Sequence, residues 1–155
     1  TPVAGRGEQV LDDLVGMFVN TLVLRTTVEP EATFDSLLDA AREADLSAFT
    51  HADMPFEQLV DLLDVERSTA YSPLFQVMFT LQNNAQAAFE LPGLTVSGVP
   101  AELGVARFDL QLTVADAADA DGSAGDLDAT FTYATDLFDS STVAGFAEMF
   151  TRVLS

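Results

Sequence analysis

Residues 14–25 read LVGMFVNTLVLR and alternate apolar and mixed positions at the two-residue period of a strand. They are apolar enough on both sides to predict a strand lying centrally in a sheet. Asn20 interrupts that run. A buried amide without partners costs roughly 1–3 kcal/mol, so Asn20 either braces neighbouring backbone or faces a polar cavity. Gly16, lacking a side chain, lets another backbone or a ligand approach the same strand. After Pro30 the period lengthens: Phe34, Leu37, Leu38, Ala41 and Ala48 recur at helical spacing, with Asp35, Asp39, Arg42 and Glu43 opposite. This predicts an amphipathic helix of about four turns packed on the sheet, with Thr33 as its N-cap. A second helix follows the turn at 51–57, HADMPFE. Pro55 suits a first helical position, Asp53 can accept from the exposed amides, and Phe56, Leu59, Val60 and Leu63 form the buried stripe.

Residues 64–72, DVERSTAYS, form a polar connection into the strand 74–82, LFQVMFTLQ. That strand carries Phe75, Val77, Phe79 and Leu81 on one face; Gln76, Thr80 and Gln82 share the other, interrupted by Met78. From 83 to 107 the chain lacks a firm period, a length unusual for a structureless loop inside a compact domain, so this stretch is expected to cross to another part of the protein. Phe108, Leu110, Leu112 and Val114 define a third strand. Leu127, Ala129, Phe131 and Tyr133 answer it in a fourth, across a small acidic loop at 116–125 that makes the pair a hairpin. Asp139 or Ser140 caps a last helix buried along Val143, Phe146, Ala147, Phe150 and Val153. The pattern predicts an α/β fold: a mixed sheet of about four strands covered by two to three amphipathic helices.

Composition narrows the function. The chain has 155 residues, 48% of them apolar, enough for one domain with an ordinary core. Its formal net charge is −19, from 25 acidic and six basic residues. Such a field repels nucleic acid and anionic membranes, and neither is an expected partner. No apolar run approaches the ~20 residues that span a bilayer, and no signal peptide opens the chain, so the cytoplasm is the expected compartment. The opening residues 1–7 have loop character and no initiating Met, as expected of a piece of a longer polypeptide.

The inventory of reactive groups is short. Without Cys there is no disulfide, thiolate zinc site or cysteine nucleophile. His51 is the one histidine, and no G-x-S-x-G elbow accompanies it, which argues against a hydrolytic triad and against mononuclear zinc. Asp119-Ala120-Asp121-Gly122 resembles the middle of a calcium loop, but Ala117 stands at the first ligand position and Asp128 where Glu is needed; a solvated hairpin tip explains the same residues. His51 reads as a turn residue hydrogen-bonded beside a helix.

Several of these segments match one family. Gly16, Phe18, Asn20, Thr21 and Arg25, within VGMFVNT and the residues after it, resemble the "VGxFVNT…R" motif of condensation domains in nonribosomal peptide synthetases. His51, Asp53, Pro55, Phe56 and Glu57 resemble its "(H/N)QDxPFE" motif, with Ala52 in place of Gln. Arg67, Pro73 and Leu74 match "RDxSRNPL", while Ser68, Ala70 and Tyr71 depart from it. The closing FTYATDLFDSSTV also resembles the end of such domains, so the likeness runs over nearly the whole of 1–155. The family hallmark "HHxxxDG" is absent.

The resemblance implies the carboxyl-terminal lobe of a chloramphenicol-acetyltransferase-like domain, lacking the catalytic His and inactive alone, with residues 83–107 as the latch-like crossing. No catalytic residue and no metal ligand is expected within the segment. Asn20 becomes a candidate for lining the channel, and the other motif residues become structural. No cofactor is expected to bind directly, because substrates would arrive as thioesters on 4'-phosphopantetheine arms. Expected partners are the amino-terminal lobe of the same domain, peptidyl carrier proteins and neighbouring synthetase domains, with Arg67 and Arg152 as docking cations. Two alternatives accompany this reading: an epimerisation domain of the same fold, disfavoured by PFEQLV and SPLFQVMF, and a non-catalytic module that docks carrier proteins. A lobe built to sit against another should expose an apolar seam, expected around Phe18, Leu22 and the 83–107 crossing.

Overall fold

A computed structural model describes residues 1–5, 9–11, 13–82, 93–94, 104–116 and 127–155. The chain is α/β, as its pattern predicts, and the described residues form three α-helices and strands in a two-stranded and a three-stranded sheet. It divides into two compact units, Thr1–Phe79 and Thr80–Ser155.

In the first unit the opening residues are not a loop. Pro2–Ala4 form strand β1, antiparallel to β2 at Val19–Thr21, with Val3 opposite Asn20. The expected strand over 14–25 therefore contracts to three residues, and it is not buried. Val15 is fully exposed and Met17 is 92% exposed. The reason lies in pairing: alternation makes a strand only where an edge meets it, and β1 offers three residues on one side while no described strand flanks the other. Leu22, expected on an exposed seam, is instead buried, its N–H donating to the Thr1 carbonyl at 2.9 Å.

Helix α1 spans Phe34–Phe49, and Thr33 caps it as expected, its Oγ1 accepting from the Ser36 N–H at 3.3 Å. The inward stripe is rotated from the expected one. Leu37, Ala41 and Ala48 are half-buried, whereas Phe34 and Leu38 are exposed and no α1 residue is fully buried. Helix α2, Phe56–Leu62, buries Val60 but leaves Leu63 exposed after its end. It closes in a Schellman turn: Asp64 takes φ 49°, its N–H donates to Asp61 and that of Val65 to Val60.

Strand β3, Val77–Gln82, crosses the division between the units. Its interior side is the reverse of what apolarity alone suggests, because Met78 is buried while Val77, Phe79 and Leu81 are exposed. In the three-stranded sheet, of order β3-β4-β5, β4 is Leu110–Asp116 and β5 is Leu127–Tyr133. These two are antiparallel, with Leu110 opposite Tyr133, Leu112 opposite Phe131 and Val114 opposite Ala129. The register gathers Leu110, Leu112, Val114, Leu127, Ala129, Phe131 and Tyr133 on one face and leaves Gln111, Thr113, Thr130 and Thr132 on the other; Phe108, expected in the strand, precedes it. Helix α3, Ser140–Leu154, packs on β5, with Phe150 edge-on to Phe131 at 6.4 Å and Phe146 edge-on to Phe138 at 6.2 Å. Val153, expected on its buried side, is exposed.

The core of the described residues is thin. Leu22, Val60, Met78, Val114 and Val143 are its buried hydrophobic side chains. Most of 83–107 and residues 117–126 lie outside the described residues, and with them the expected latch-like crossing, the expected hairpin loop and the calcium-loop likeness.

Candidate functional site

The two motifs that stand 31 to 37 positions apart along the chain meet at Asn20. Strand β2 carries the Asn20 side chain to the turn that precedes α2, where all three of its contacts are main-chain groups. Its Nδ2 donates to the carbonyls of Ala52 at 2.9 Å and Met54 at 2.7 Å, and its Oδ1 accepts from the Phe56 N–H at 3.1 Å. That N–H belongs to the first turn of α2, where no carbonyl of the helix can reach it. Pro55, at the N-cap position, has no side-chain hydrogen bond to offer. Asp53 makes no cap either, contrary to expectation; the acceptor comes from a strand distant in sequence.

An open pocket of about 310 Å³ lies beside this contact, lined by Phe18, Asn20, Asp53, Pro55 and Glu57 together with Gly5, Met17, Val19 and Ala52. Five expected motif residues thus line one concavity, with apolar side chains from the β2 segment and two carboxyl groups, Asp53 from the turn and Glu57 from the first turn of α2. Gly16 serves a different purpose from the one its sequence position suggests. A Cβ there would stand 3.0 Å from the Phe18 ring, so the glycine makes room for that ring and not for a ligand. Thr21 ends β2 opposite Pro2, and Arg25 is exposed beyond it.

His51 lies at the other end of α1. Its Nδ1 is 2.9 Å from the Ser47 carbonyl and 3.0 Å from Thr50 Oγ1. A carbonyl only accepts, so Nδ1 carries the proton and His51 is a helix-end residue, the bland reading of the two.

The third motif builds a neighbouring pocket of about 260 Å³, lined by Phe56, Glu57, Val60, Arg67, Ser68 and Pro73. Arg67 forms an ion pair with Asp61, so its guanidinium is already engaged on its own surface. Leu74 takes φ 70° between the Pro73 carbonyl and the Phe75 N–H, which bond at 2.9 Å; this three-residue turn is a strained one for a side chain so large. It delivers Phe75 edge-on to Phe56 at 5.7 Å. Glu57 lines both pockets.

Sequence reasoning missed Gly5, Met17, Val19 and the carbonyls of Ala52 and Met54. Main-chain acceptors leave no signature in a sequence, and the Gln replaced by Ala52 is not needed for this contact, because Asn20 uses the backbone at that position. Among the described residues no cluster of His, Cys, Asp and Glu could hold a metal ion, and no helix is long and apolar enough to cross a membrane.

Comparison with known proteins gives one answer. The Condensation domain family matches residues 1–155. The chain is 46% identical over 154 residues to a probable non-canonical nonribosomal peptide synthetase, CymA, of Salinispora arenicola strain CNS-205, covering 99% of this chain and 2% of that protein. It is 42% identical over 154 residues to the dimodular nonribosomal peptide synthase of Bacillus subtilis strain 168, again covering 99% of this chain, and 6% of that protein. Among solved structures it resembles the X-domain from teicoplanin biosynthesis, with a TM-score of 0.84 and 28% identity over 99% of this chain and 34% of that one. The complex of the X-domain and OxyB gives 0.76 and 30%, over 93% and 31%. The chain therefore spans a small fraction of the synthetases and about a third of the X-domain chain.

Proposed function

The chain belongs to the Condensation domain family, and from that premise we propose that it is part of a nonribosomal peptide synthetase domain that forms amide bonds between carrier-bound thioesters. In that reaction the amine of an acceptor attacks the thioester carbonyl of a donor. The C–N bond forms, the C–S bond breaks, and the proton lost from nitrogen balances the thiol released. Most of the acceleration comes from holding the two groups together, since the step needs no redox partner. The carriers' phosphopantetheine arms present both substrates, and the setting is cytoplasmic.

This segment contributes a wall and not the base. Its single histidine donates to the Ser47 carbonyl at the end of α1, and the described site offers an amide, two carboxyl groups and apolar side chains. A histidine that assists proton transfer must come from elsewhere in the domain, from an amino-terminal lobe that covers the exposed Val77, Phe79 and Leu81 of β3. The observation that carries the reading is the family match over the full 1–155, with two of its motifs joined at Asn20.

One observation favours a second reading. Two solved relatives are X-domains, one of them in complex with OxyB, which fits a module that docks another protein without forming bonds. The two readings separate in the intact synthetase that contains this chain, with donor and acceptor loaded on its carriers. The expected result is amide product detected by mass spectrometry in a single turnover. Absence of amide with both carriers fully loaded, together with retained binding of a separate partner protein, would replace condensation by docking.

A further inference from the structure

Resting on the condensation reading, we propose that Asn20 is a positioning residue for that reaction: its amide holds the 52–56 turn against β2, thereby fixing the wall of the 310 Å³ pocket, and it does not touch the reacting groups.

A carboxamide has two N–H donors and one oxygen acceptor. Both donors of Asn20 are committed, to the carbonyls of Ala52 and Met54, and the oxygen holds the Phe56 N–H. No donor is left for a substrate. The demand for two donors and an acceptor within one short side chain explains the residue type. Asp supplies no donor when ionised, Gln is one methylene too long, and Ala orphans all three main-chain groups. The turn so held carries the pocket residues Asp53 and Pro55 and leads directly into Glu57, while Val60 and the Phe56–Phe75 contact fix the far side of α2. Releasing the clamp moves that wall as a unit. The clamp's three bonds are internal to this wall, so releasing them removes no contact between Asn20 and a carrier.

The test uses the intact synthetase with Asn20→Asp and Asn20→Ala, read by single-turnover amide formation, by half-saturation for the carriers and by hydrogen exchange of the Phe56 amide. Asn20→Asp keeps the acceptor for Phe56 and loses both donors. It should form amide about tenfold more slowly at about pH 8, with half-saturation unchanged, as loss of the two hydrogen bonds that hold the wall, one part-buried and one exposed, implies. Relative to the unsubstituted protein, that deficit should shrink toward about pH 6. The Ala52 and Met54 carbonyls favour the protonated carboxyl, which regains one donor, and the acidic pocket neighbours Asp53 and Glu57 act in the same direction. Asn20→Ala should be slow at every pH and should exchange the Phe56 amide about tenfold faster or more. Slow turnover in Asn20→Ala with unchanged exchange over 51–59 would overturn the proposal in favour of direct substrate contact. Unchanged turnover with faster exchange would overturn it by showing that the turn is irrelevant to the reaction. If the unsubstituted synthetase forms no amide, the condensation reading itself fails, while the exchange arm still decides whether the clamp exists.

Discussion

The β4–β5–α3 assembly and the β1–β2–α2 assembly are built on opposite principles. In the former, apolar positions two apart on each strand meet apolar positions on a helix that follows directly, and Val114 and Val143 are both 4% exposed. In the latter, β2 is three residues long, Val15 and Met17 face outward, and the strand is joined to the helix turn by one amide making three hydrogen bonds. The first arrangement draws its stability from area removed from water, which tolerates small shifts. The second depends on direction, because hydrogen bonds weaken steeply with misalignment. A scaffold can be held the first way; a pocket wall that must sit at one place is better held the second.

Substitution at Val114 tests that contrast most severely. Val114→Asp puts a carboxylate at a buried position of β4, opposite Ala129 on the apolar face of the hairpin. Destabilisation of about 3–5 kcal/mol is expected, read by denaturant unfolding and by loss of exchange protection over 110–116 and 127–133. Retained protection would mean that this face is not a core. Phe150→Ala should have the next largest effect. It removes a half-buried ring and its edge-on contact with Phe131, for about 2–3 kcal/mol, below the full cost at a buried site because Phe150 is only part covered. A melting temperature unchanged by this substitution would show that α3 is held by something other than its aromatic contacts.

The same contrast explains what the sequence discloses. Across 110–116 and 127–154 the period of apolar residues predicts two strands of a hairpin and a helix, because most of each stripe meets a neighbour close in the chain, Leu127 and Val153 excepted. Residues 14–25 carry as strong an alternation and give three residues of strand. A period specifies which side an element would bury, and it cannot supply the partner that buries it; here β1 pairs with three residues, Val15 and Met17 stay open, and Leu22 is buried beyond the strand's end. Strand β3 misleads for the same reason, since its greasier side is the open one. The site was legible as residues and not as geometry. Asn20 stands out as an amide within an apolar run, and HADMPFE stands out as a capped turn, but their junction runs through the carbonyls of Ala52 and Met54 and the N–H of Phe56, groups that every sequence has at every position.

The smallest expected effect lies at Arg67, and it limits the contrast to polar links of one kind. Arg67 and Asp61 form an ion pair, as Asn20 and the turn form hydrogen bonds, and both involve family-motif residues of the first unit. Their surroundings differ. The Arg67 and Asp61 side chains are each 68% exposed, so water and salt screen the pair, and ordering two mobile side chains offsets much of the attraction. Asn20 is half-buried, and its partners are fixed main-chain groups that have no mobility to lose. Arg67→Met keeps most of the aliphatic length beside Pro73 and removes the charge. It should change stability by no more than about 0.5 kcal/mol, and that difference should vanish in high salt. Thermal unfolding at low and high ionic strength measures both. A salt-insensitive loss above about 1 kcal/mol would show that Arg67 braces the second pocket as Asn20 braces the first, and directional polar contacts would then hold this whole side of the unit.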